Sequence, residues 1–138
     1  MTKTLLLRAA LLAAACLPLY AAAGESLTVE VAGVRSAEGS IVVSLCREGE
    51  AFPGHCKKAV KAKAEPGTTR VTFEDLAPGK YAAAVFHDAD GDGKLTFLKE
   101  GIGFSNNANL AFSAPRFEPS AFAVSGKTKV RLTLKYFN

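Results

Sequence analysis

The sequence predicts an all-β protein, a single seven-stranded antiparallel β-sandwich that follows a cleaved N-terminal signal peptide. Three observations support this prediction. Short stretches of the mature chain alternate apolar with polar residues, turn residues separate them about every eight to twelve positions, and no helical periodicity is present beyond the N-terminus. The pattern is typical of antiparallel sandwiches, because each strand buries one face and exposes the other.

The first 23 residues have the pattern of a secretory signal peptide. Lys3 and Arg8 come early, an apolar stretch follows, and small residues end it at Ala23. Only 15 uncharged residues precede the polar segment that starts at position 24, whereas a membrane-spanning helix needs roughly 20. A retained membrane anchor and lipid attachment at Cys16 stay open as alternatives. We expect residues 24–138 to form the mature domain, which would be periplasmic or secreted.

Seven strands are predicted in the mature domain. In chain order they are the segments LTVEVAGV, GSIVVSLC, AVKAKA, TTRVTFEDL, GKYAAAVFHD, SAFAVSG and KTKVRLTLKY. The fifth segment is a nearly continuous apolar run, which indicates a central strand covered on both sides. The last two segments are expected to form a hairpin whose apolar face is made by Val130, Leu132, Leu134 and Tyr136.

The charge pattern argues against nucleic acid as a partner. The mature domain has 15 basic and 13 acidic residues, and the basic residues do not form a run with interleaved aromatics. Lysines that alternate with alanines, as at Lys61 and Lys63, indicate the solvent face of a strand and discourage edge-to-edge aggregation. We expect no transmembrane segment in the mature chain, and an envelope protein or a small ligand as the partner.

Cys46 and Cys56 are the two cysteines of the mature domain. In an oxidising compartment such a pair most simply forms a disulfide. The bond would close the short loop REGEAFPGH and stabilise the fold by roughly 2 to 3 kcal/mol in the chain-entropy model. Free thiols and a metal or redox site that includes His55 stay open as alternatives.

One connection, residues 88–119, is too long for a plain turn. Loops beyond about 12 to 15 residues without structure of their own usually serve a function or are disordered. This connection carries four aromatic residues, which should pack on the sandwich: Phe97, Phe104, Phe112 and Phe117.

Sequence blocks in and around this connection resemble those of a known family. The blocks LAPGKYAAAVFHDADGDGKL, EGIGFSNNA and PRFEPSAFAV resemble the hallmarks of an exported bacterial family called domain of unknown function 2141. The resemblance implies a β-sandwich of the prealbumin or immunoglobulin type and brings no assigned activity. The chain departs from the family pattern after GKL, where TFLKEG takes the place of a longer segment and shortens the stretch that could supply a ligand.

The stretch HDADGDGKL places Asp88, Asp90 and Asp92 at alternate positions. Counted from Asp88, they match positions 1, 3 and 5 of the helix–loop–helix calcium loop, but position 12 is Lys99 and Glu100 comes one residue late. The favoured interpretation is a turn without an ion, because Asp and Gly bond and bend backbone by themselves. The alternative is a weak calcium site made by the aspartates, with Glu100 or an asparagine pair folding back.

Three further candidates for a loop site are His87, Asn106 and Asn107. His87 lies beside Asp88, where a base and an orienting carboxylate would suit a hydrolase. The favoured interpretation is a histidine bonded to a loop carbonyl at the rim of the sandwich. Asn106 and Asn107 are expected to tolerate left-handed backbone. No GxSxG nucleophile motif is present, so no catalytic residue is assigned.

Three hypotheses for the function follow. The leading one is an exported, noncatalytic β-sandwich that binds a partner or ligand through residues 88–119, because binding residues are often on loops held by a rigid scaffold. The second is a calcium-stabilised structural module of the cell envelope, with calcium as the candidate cofactor. The third is a hydrolase centred on His87 and Asp88.

Overall fold

The computed structural model describes residues 24–96, 99–109 and 114–137, and the predicted signal peptide lies outside these residues. The described chain forms eight strands, one 3₁₀ turn and one short helix. The strands are β1 (Glu25–Val34), β2 (Ser40–Arg47), β3 (Lys58–Lys63), β4 (Gly67–Leu76), β5 (Gly79–Asp88), β6 (Ile102–Phe104), β7 (Ala121–Val124) and β8 (Lys127–Thr133). The 3₁₀ turn spans Ser105–Asn107, and the four-residue helix α1 spans Phe117–Ser120.

The strands form two facing sheets, which confirms the predicted fold class. One sheet has the order β4-β1-β8, and the other has the order β3-β2-β5-β6 with β7 also paired to β5. The number of strands exceeds the seven predicted because the long connection contributes β6, three residues that pair with β5. All pairs of strands are antiparallel except β1 and β8, which are parallel.

The predicted hairpin of the last two strands is wrong. β7 pairs with β5 and β8 pairs with β1, so the link at Ser125 and Gly126 crosses from one sheet to the other. Gly126 has a φ of 65°, which glycine adopts at little steric cost. The Ser26 N–H donates to the Gly126 carbonyl at 3.0 Å. β8 therefore starts beside the start of β1 and runs parallel to it.

The core fills the space between the sheets. Its residues alternate along β4 and most of β2, as the sequence predicted, whereas β1 and β5 also have consecutive buried residues. The fully buried side chains include Leu27, Val29, Val31, Ile41, Val43, Leu45, Val85 and Leu132. Burial of each side chain of this size contributes roughly 1.5 to 3 kcal/mol. Strand β5 is central, as predicted, since it has neighbours on both edges. The fold thereby holds the end of β5, at Asp88, in a fixed and buried position.

Cys46 and Cys56 form a disulfide, as predicted. Cys46 is fully buried near the end of β2, and the bond joins residues ten positions apart. The chain-entropy model gives a stabilisation of about 3 kcal/mol for a loop of this length.

The long connection packs on the sandwich where the structure describes it. Phe104 is buried, and Phe117 is partly buried. Both rings make edge-to-face contacts with Phe52 of the disulfide loop, at centroid distances of 5.9 and 6.3 Å. The other two aromatic residues of the connection, at positions 97 and 112, lie outside the described residues.

Candidate cation site

The candidate site lies in the loop that follows β5. Strand β5 ends at Asp88, and the chain leaves the sheet and returns to it at Ile102. Gly91 and Gly93 have φ values of 72° and 76°, a left-handed conformation that glycine adopts readily. The alternation of aspartate with glycine therefore bends this loop tightly beside the end of β5.

The aspartates stabilise the loop through hydrogen bonds to its backbone. Asp90 Oδ1 accepts the Asp92 N–H at 3.1 Å, and Asp92 Oδ1 accepts the Lys94 N–H at 2.8 Å. Asp88 Oδ2 accepts the Gly93 N–H at 3.0 Å across the loop. These are the bonds expected of a self-bonded turn. Each aspartate uses one carboxylate oxygen in them, so its second oxygen is left for another interaction.

The same loop brings four carboxylates together. One carboxylate oxygen from each of Asp88, Asp90, Asp92 and Glu100 lies within 4.8 Å of the others. Glu100 is held by Thr96, whose N–H donates to Glu100 Oε2 at 2.8 Å and whose carbonyl accepts the Glu100 N–H at 3.1 Å. The late position of Glu100 in the sequence therefore does not keep it away from the three aspartates.

Two of these carboxylates are buried and incompletely satisfied. Asp88 is 0% exposed and Glu100 is 4% exposed, whereas Asp90 and Asp92 are on the surface. Asp88 Oδ1 and Glu100 Oε1 have no hydrogen-bond partner, and none of the four carboxylates forms an ion pair within the described part of the chain. Because an uncompensated buried charge is costly, buried carboxylates are normally paired or coordinate metal. A cation at the centre of the cluster would compensate this negative charge.

The spacing of the cluster is compatible with calcium. Ca²⁺ binds six to eight oxygens at about 2.3 to 2.6 Å, so oxygens on opposite sides of the ion are about 4.6 to 5.2 Å apart. Carboxylate oxygens that lie within 4.8 Å of one another fit around such an ion. Mg²⁺ needs a tighter octahedron at about 2.0 to 2.1 Å and gives up its water reluctantly. An all-oxygen donor set also disfavours metals that prefer sulfur or imidazole.

His87 lies next to the cluster in the chain, but both of its ring nitrogens are engaged. The ring is 1% exposed, with Nε2 at 2.6 Å from the Glu38 carbonyl oxygen and Nδ1 at 2.8 Å from the Tyr136 hydroxyl. Because a carbonyl can only accept, Nε2 carries the proton and Nδ1 accepts from Tyr136. Neither nitrogen is available as a general base, and no feature of the described residues favours the hydrolase hypothesis.

Tyr136 remains a hydrogen-bond donor at neutral pH. Burial raises the pKa of its hydroxyl above the ordinary value, although the nearby Arg35 acts in the opposite direction. The Arg35 guanidinium lies 4.2 Å from the centre of the Tyr136 ring. The hydroxyl therefore keeps its proton and can donate it to His87.

Asn106 and Asn107 are not part of the carboxylate cluster. Both have left-handed backbone, as expected, with φ values of 60° and 48°. Asn106 Nδ2 donates to the carbonyls of Pro119 and Ala121 at 3.2 and 2.8 Å, and Asn107 Oδ1 accepts the Thr133 N–H at 2.9 Å. The two amides join the long connection to β7 and β8, which is a structural role.

Sequence reasoning missed three residues that shape the surroundings of the cluster. A Cβ atom on Gly39 would overlap the Asp88 carbonyl oxygen, and a Cβ atom on Gly101 would lie 2.5 Å from Tyr136 Cζ. Glycine is a weak indication of close backbone approach, but no local pattern showed that Tyr136 would lie against Gly101. These contacts depend on segments that are distant in the chain.

The comparisons with known proteins show a family and leave the activity open. No helix among the described residues is long and apolar enough to cross a membrane. No curated protein matches the chain, and no solved structure matches it. A family model, DUF2141, described as an uncharacterized protein conserved in bacteria, matches residues 29–131, which include all four carboxylates. The match spans well over half of the sequence, and the chain belongs to this family of uncharacterized bacterial proteins.

Proposed function

We propose that this protein is an exported, noncatalytic β-sandwich module that calcium stabilises by closing the 88–100 loop. One observation carries the proposal: two buried carboxylate oxygens, Asp88 Oδ1 and Glu100 Oε1, have no hydrogen-bond partner and belong to a cluster of four carboxylates. A divalent cation would supply the positive charge that this cluster needs. No other group in the described residues forms an ion pair with it.

The buried and the exposed carboxylates would bind the ion from opposite sides. Asp88 and Glu100 are buried and would bind the ion from the protein side, whereas Asp90 and Asp92 are exposed and would bind it from the solvent side. Asp88 opens the loop and Glu100 closes it, so a shared ion would tie the two ends together. The role of the ion is then structural, since it fixes the connection between β5 and β6.

Export is part of the proposal and has two supports. The N-terminal sequence has the pattern of a signal peptide, and the Cys46–Cys56 disulfide is of the kind that persists in oxidising compartments. A weak calcium site also suits such a location, because extracellular modules bind calcium with dissociation constants of about 0.1 to 1 mM.

Binding of an envelope protein or a small ligand through residues 88–119 stays a prediction. Within the described part of this connection, Leu95 is the exposed large hydrophobic side chain, at 38%. One exposed leucine does not form an apolar patch of the size that marks a protein interface.

Thermal or urea unfolding in calcium, in magnesium and in chelator tests the proposal. A ligand that binds only the folded state stabilises it by RT ln(1 + [L]/Kd). For a dissociation constant of about 0.1 to 1 mM, calcium at about 10 mM should add roughly 1.4 to 2.7 kcal/mol. Magnesium should add much less, because it demands a tighter octahedron and gives up its water reluctantly.

Paired substitutions separate site binding from a general effect of salt. Asp90→Asn together with Asp92→Asn should abolish most of the calcium-specific gain. Glu65→Gln together with Glu74→Gln removes the same charge from exposed positions elsewhere and should leave the gain intact. If wild-type protein gains no stability from calcium, or if both double variants gain as much as wild type, the proposed function is wrong.

A further inference from the structure

A continuous hydrogen-bonded chain includes His87, the residue before the buried Asp88. The Arg35 N–H donates to the Tyr136 hydroxyl oxygen at 3.2 Å, that hydroxyl donates to His87 Nδ1 at 2.8 Å, and His87 Nε2–H donates to the Glu38 carbonyl at 2.6 Å. Both polar edges of the histidine and the hydroxyl of the tyrosine are thereby used. The chain joins the β1–β2 connection, the end of β5 and the C-terminal segment, and it fixes both rings.

The Tyr136 ring sets the position of the backbone that carries Glu100. A Cβ atom on Gly101 would lie 2.5 Å from Tyr136 Cζ and 2.7 Å from a neighbouring ring carbon, so the backbone packs directly on the ring. On the other side, the Gly101 carbonyl accepts the His87 N–H at 2.8 Å. The peptide that follows Glu100 is therefore held between Tyr136 and the strand that ends at Asp88.

Tyr136 is itself firmly anchored. Ile102 and Lys135 exchange two backbone hydrogen bonds of 2.9 Å, and the Leu134 N–H donates to the Ala32 carbonyl at 2.9 Å. These bonds attach the C-terminal segment to both sheets, at β6 and at β1. The ring that supports Gly101 is therefore held by the fold and does not depend on the loop itself.

We propose that Tyr136, acting through His87 and Gly101, is a positioning residue for the cation site and sets the spacing between Asp88 and Glu100. The inference rests on the proposed function. Groups that hydrogen-bond directly to metal ligands typically change metal affinity about 10- to 100-fold when they are removed. Tyr136 acts one residue further away, through His87 and Gly101, so we expect an effect at the lower end of this range. The C-terminal segment would then help to determine how tightly, and how selectively, the loop binds its ion.

Tyr136→Phe tests the inference because it removes only the hydroxyl and keeps the ring. Tyr81→Phe is the matched control, since Tyr81 is 2% exposed and its hydroxyl donates to the Ala77 carbonyl at 2.6 Å, within a different part of the sandwich. Calcium and magnesium affinities are measured by titration calorimetry at a temperature where all variants are folded. Tyr136→Phe should raise the calcium Kd about tenfold and narrow the preference for calcium over magnesium, whereas Tyr81→Phe should change the Kd less than about twofold.

A double-mutant cycle tests whether Tyr136 acts through His87. His87→Leu removes the acceptor of the same hydrogen bond, so it should raise the calcium Kd for the same reason as Tyr136→Phe. The fold-increase in Kd of the double variant should therefore be smaller than the product of the two single fold-increases. If wild type binds calcium and the two variants Tyr136→Phe and Tyr81→Phe have the same calcium Kd, the inference is wrong and the proposed function stands. Absence of calcium binding in wild type would overturn both.

Discussion

Replacing Glu100 with glutamine should stabilise the protein in chelator and weaken its response to calcium. Glu100 Oε2 accepts the Thr96 N–H, and a glutamine carbonyl can accept the same hydrogen bond. The glutamine amide would replace Glu100 Oε1, the buried oxygen without a partner. Because an amide donates, it would convert repulsion from the three aspartates into hydrogen bonding.

The magnitude follows from the separations in the cluster. The oxygens of the cluster lie within 4.8 Å of one another. Two unit charges at that upper limit repel by about 0.9 kcal/mol in water and about 3.5 kcal/mol at an effective dielectric constant of 20. The lower figure suits the exposed Asp90 and Asp92, and the higher one suits the buried Asp88. Allowing for relaxation of the loop, we expect a net gain of at least about 1 kcal/mol in chelator, or about 4 °C in Tm for a domain of this size.

The response to calcium should change in the opposite direction. Glutamine removes one negative ligand, and a tenfold weaker site would gain only about 0.4 to 1.4 kcal/mol from calcium at about 10 mM. As calcium is added, the free energy of unfolding of wild type should therefore approach or exceed that of the variant, because the calcium response of wild type is larger.

Urea unfolding at several calcium concentrations measures both effects. Glu74→Gln removes the same charge from an exposed position on β4 and should change stability by no more than about 0.5 kcal/mol in every condition. A Glu100→Gln variant that is less stable than wild type in chelator and keeps the full calcium response would refute the electrostatic argument.

Two further predictions concern the rest of the molecule. Hydrogen bonding by Arg70 is the main cause that lowers the pKa of Glu30 below its ordinary value of 4.5, against an opposing effect of burial and with help from Lys129. A lowered pKa gives stability that is present above the unfolded-state pKa and lost as pH falls through the folded-state pKa. Glu30→Gln should therefore destabilise the protein at pH 7 and become as stable as wild type once the pH is below the folded-state pKa of Glu30. An equal loss of stability at pH 7 and in acid would contradict this. The exported protein should begin at Gly24, and an intact mass that retains the first 23 residues, or that shows lipid on Cys16, would contradict export with cleavage.

The sequence alone was sufficient to predict seven of the eight strands and most of the faces they bury. Alternation is a local property of period two, so it assigned Leu27, Val29 and Val31 to the core, and the continuous apolar run of β5 marked a central strand. It could not say which strands pair, because the alternation of β8 is the same beside β7 or beside β1. That choice depended on the crossing at Gly126 and on the open edge of β1.

The candidate site likewise has features that the sequence predicted and features that only the tertiary structure decided. The spacing of Asp88, Asp90 and Asp92 was sufficient to predict a loop rich in carboxylates, because aspartate and glycine act on their own neighbouring backbone. Only the tertiary structure decided that Glu100 lies with them, although it is late for the calcium-loop pattern, and that Asp88 and Glu100 are both buried. The contact of Tyr136 with Gly101 was likewise invisible in the sequence, since it forms only after the C-terminal segment has joined both sheets.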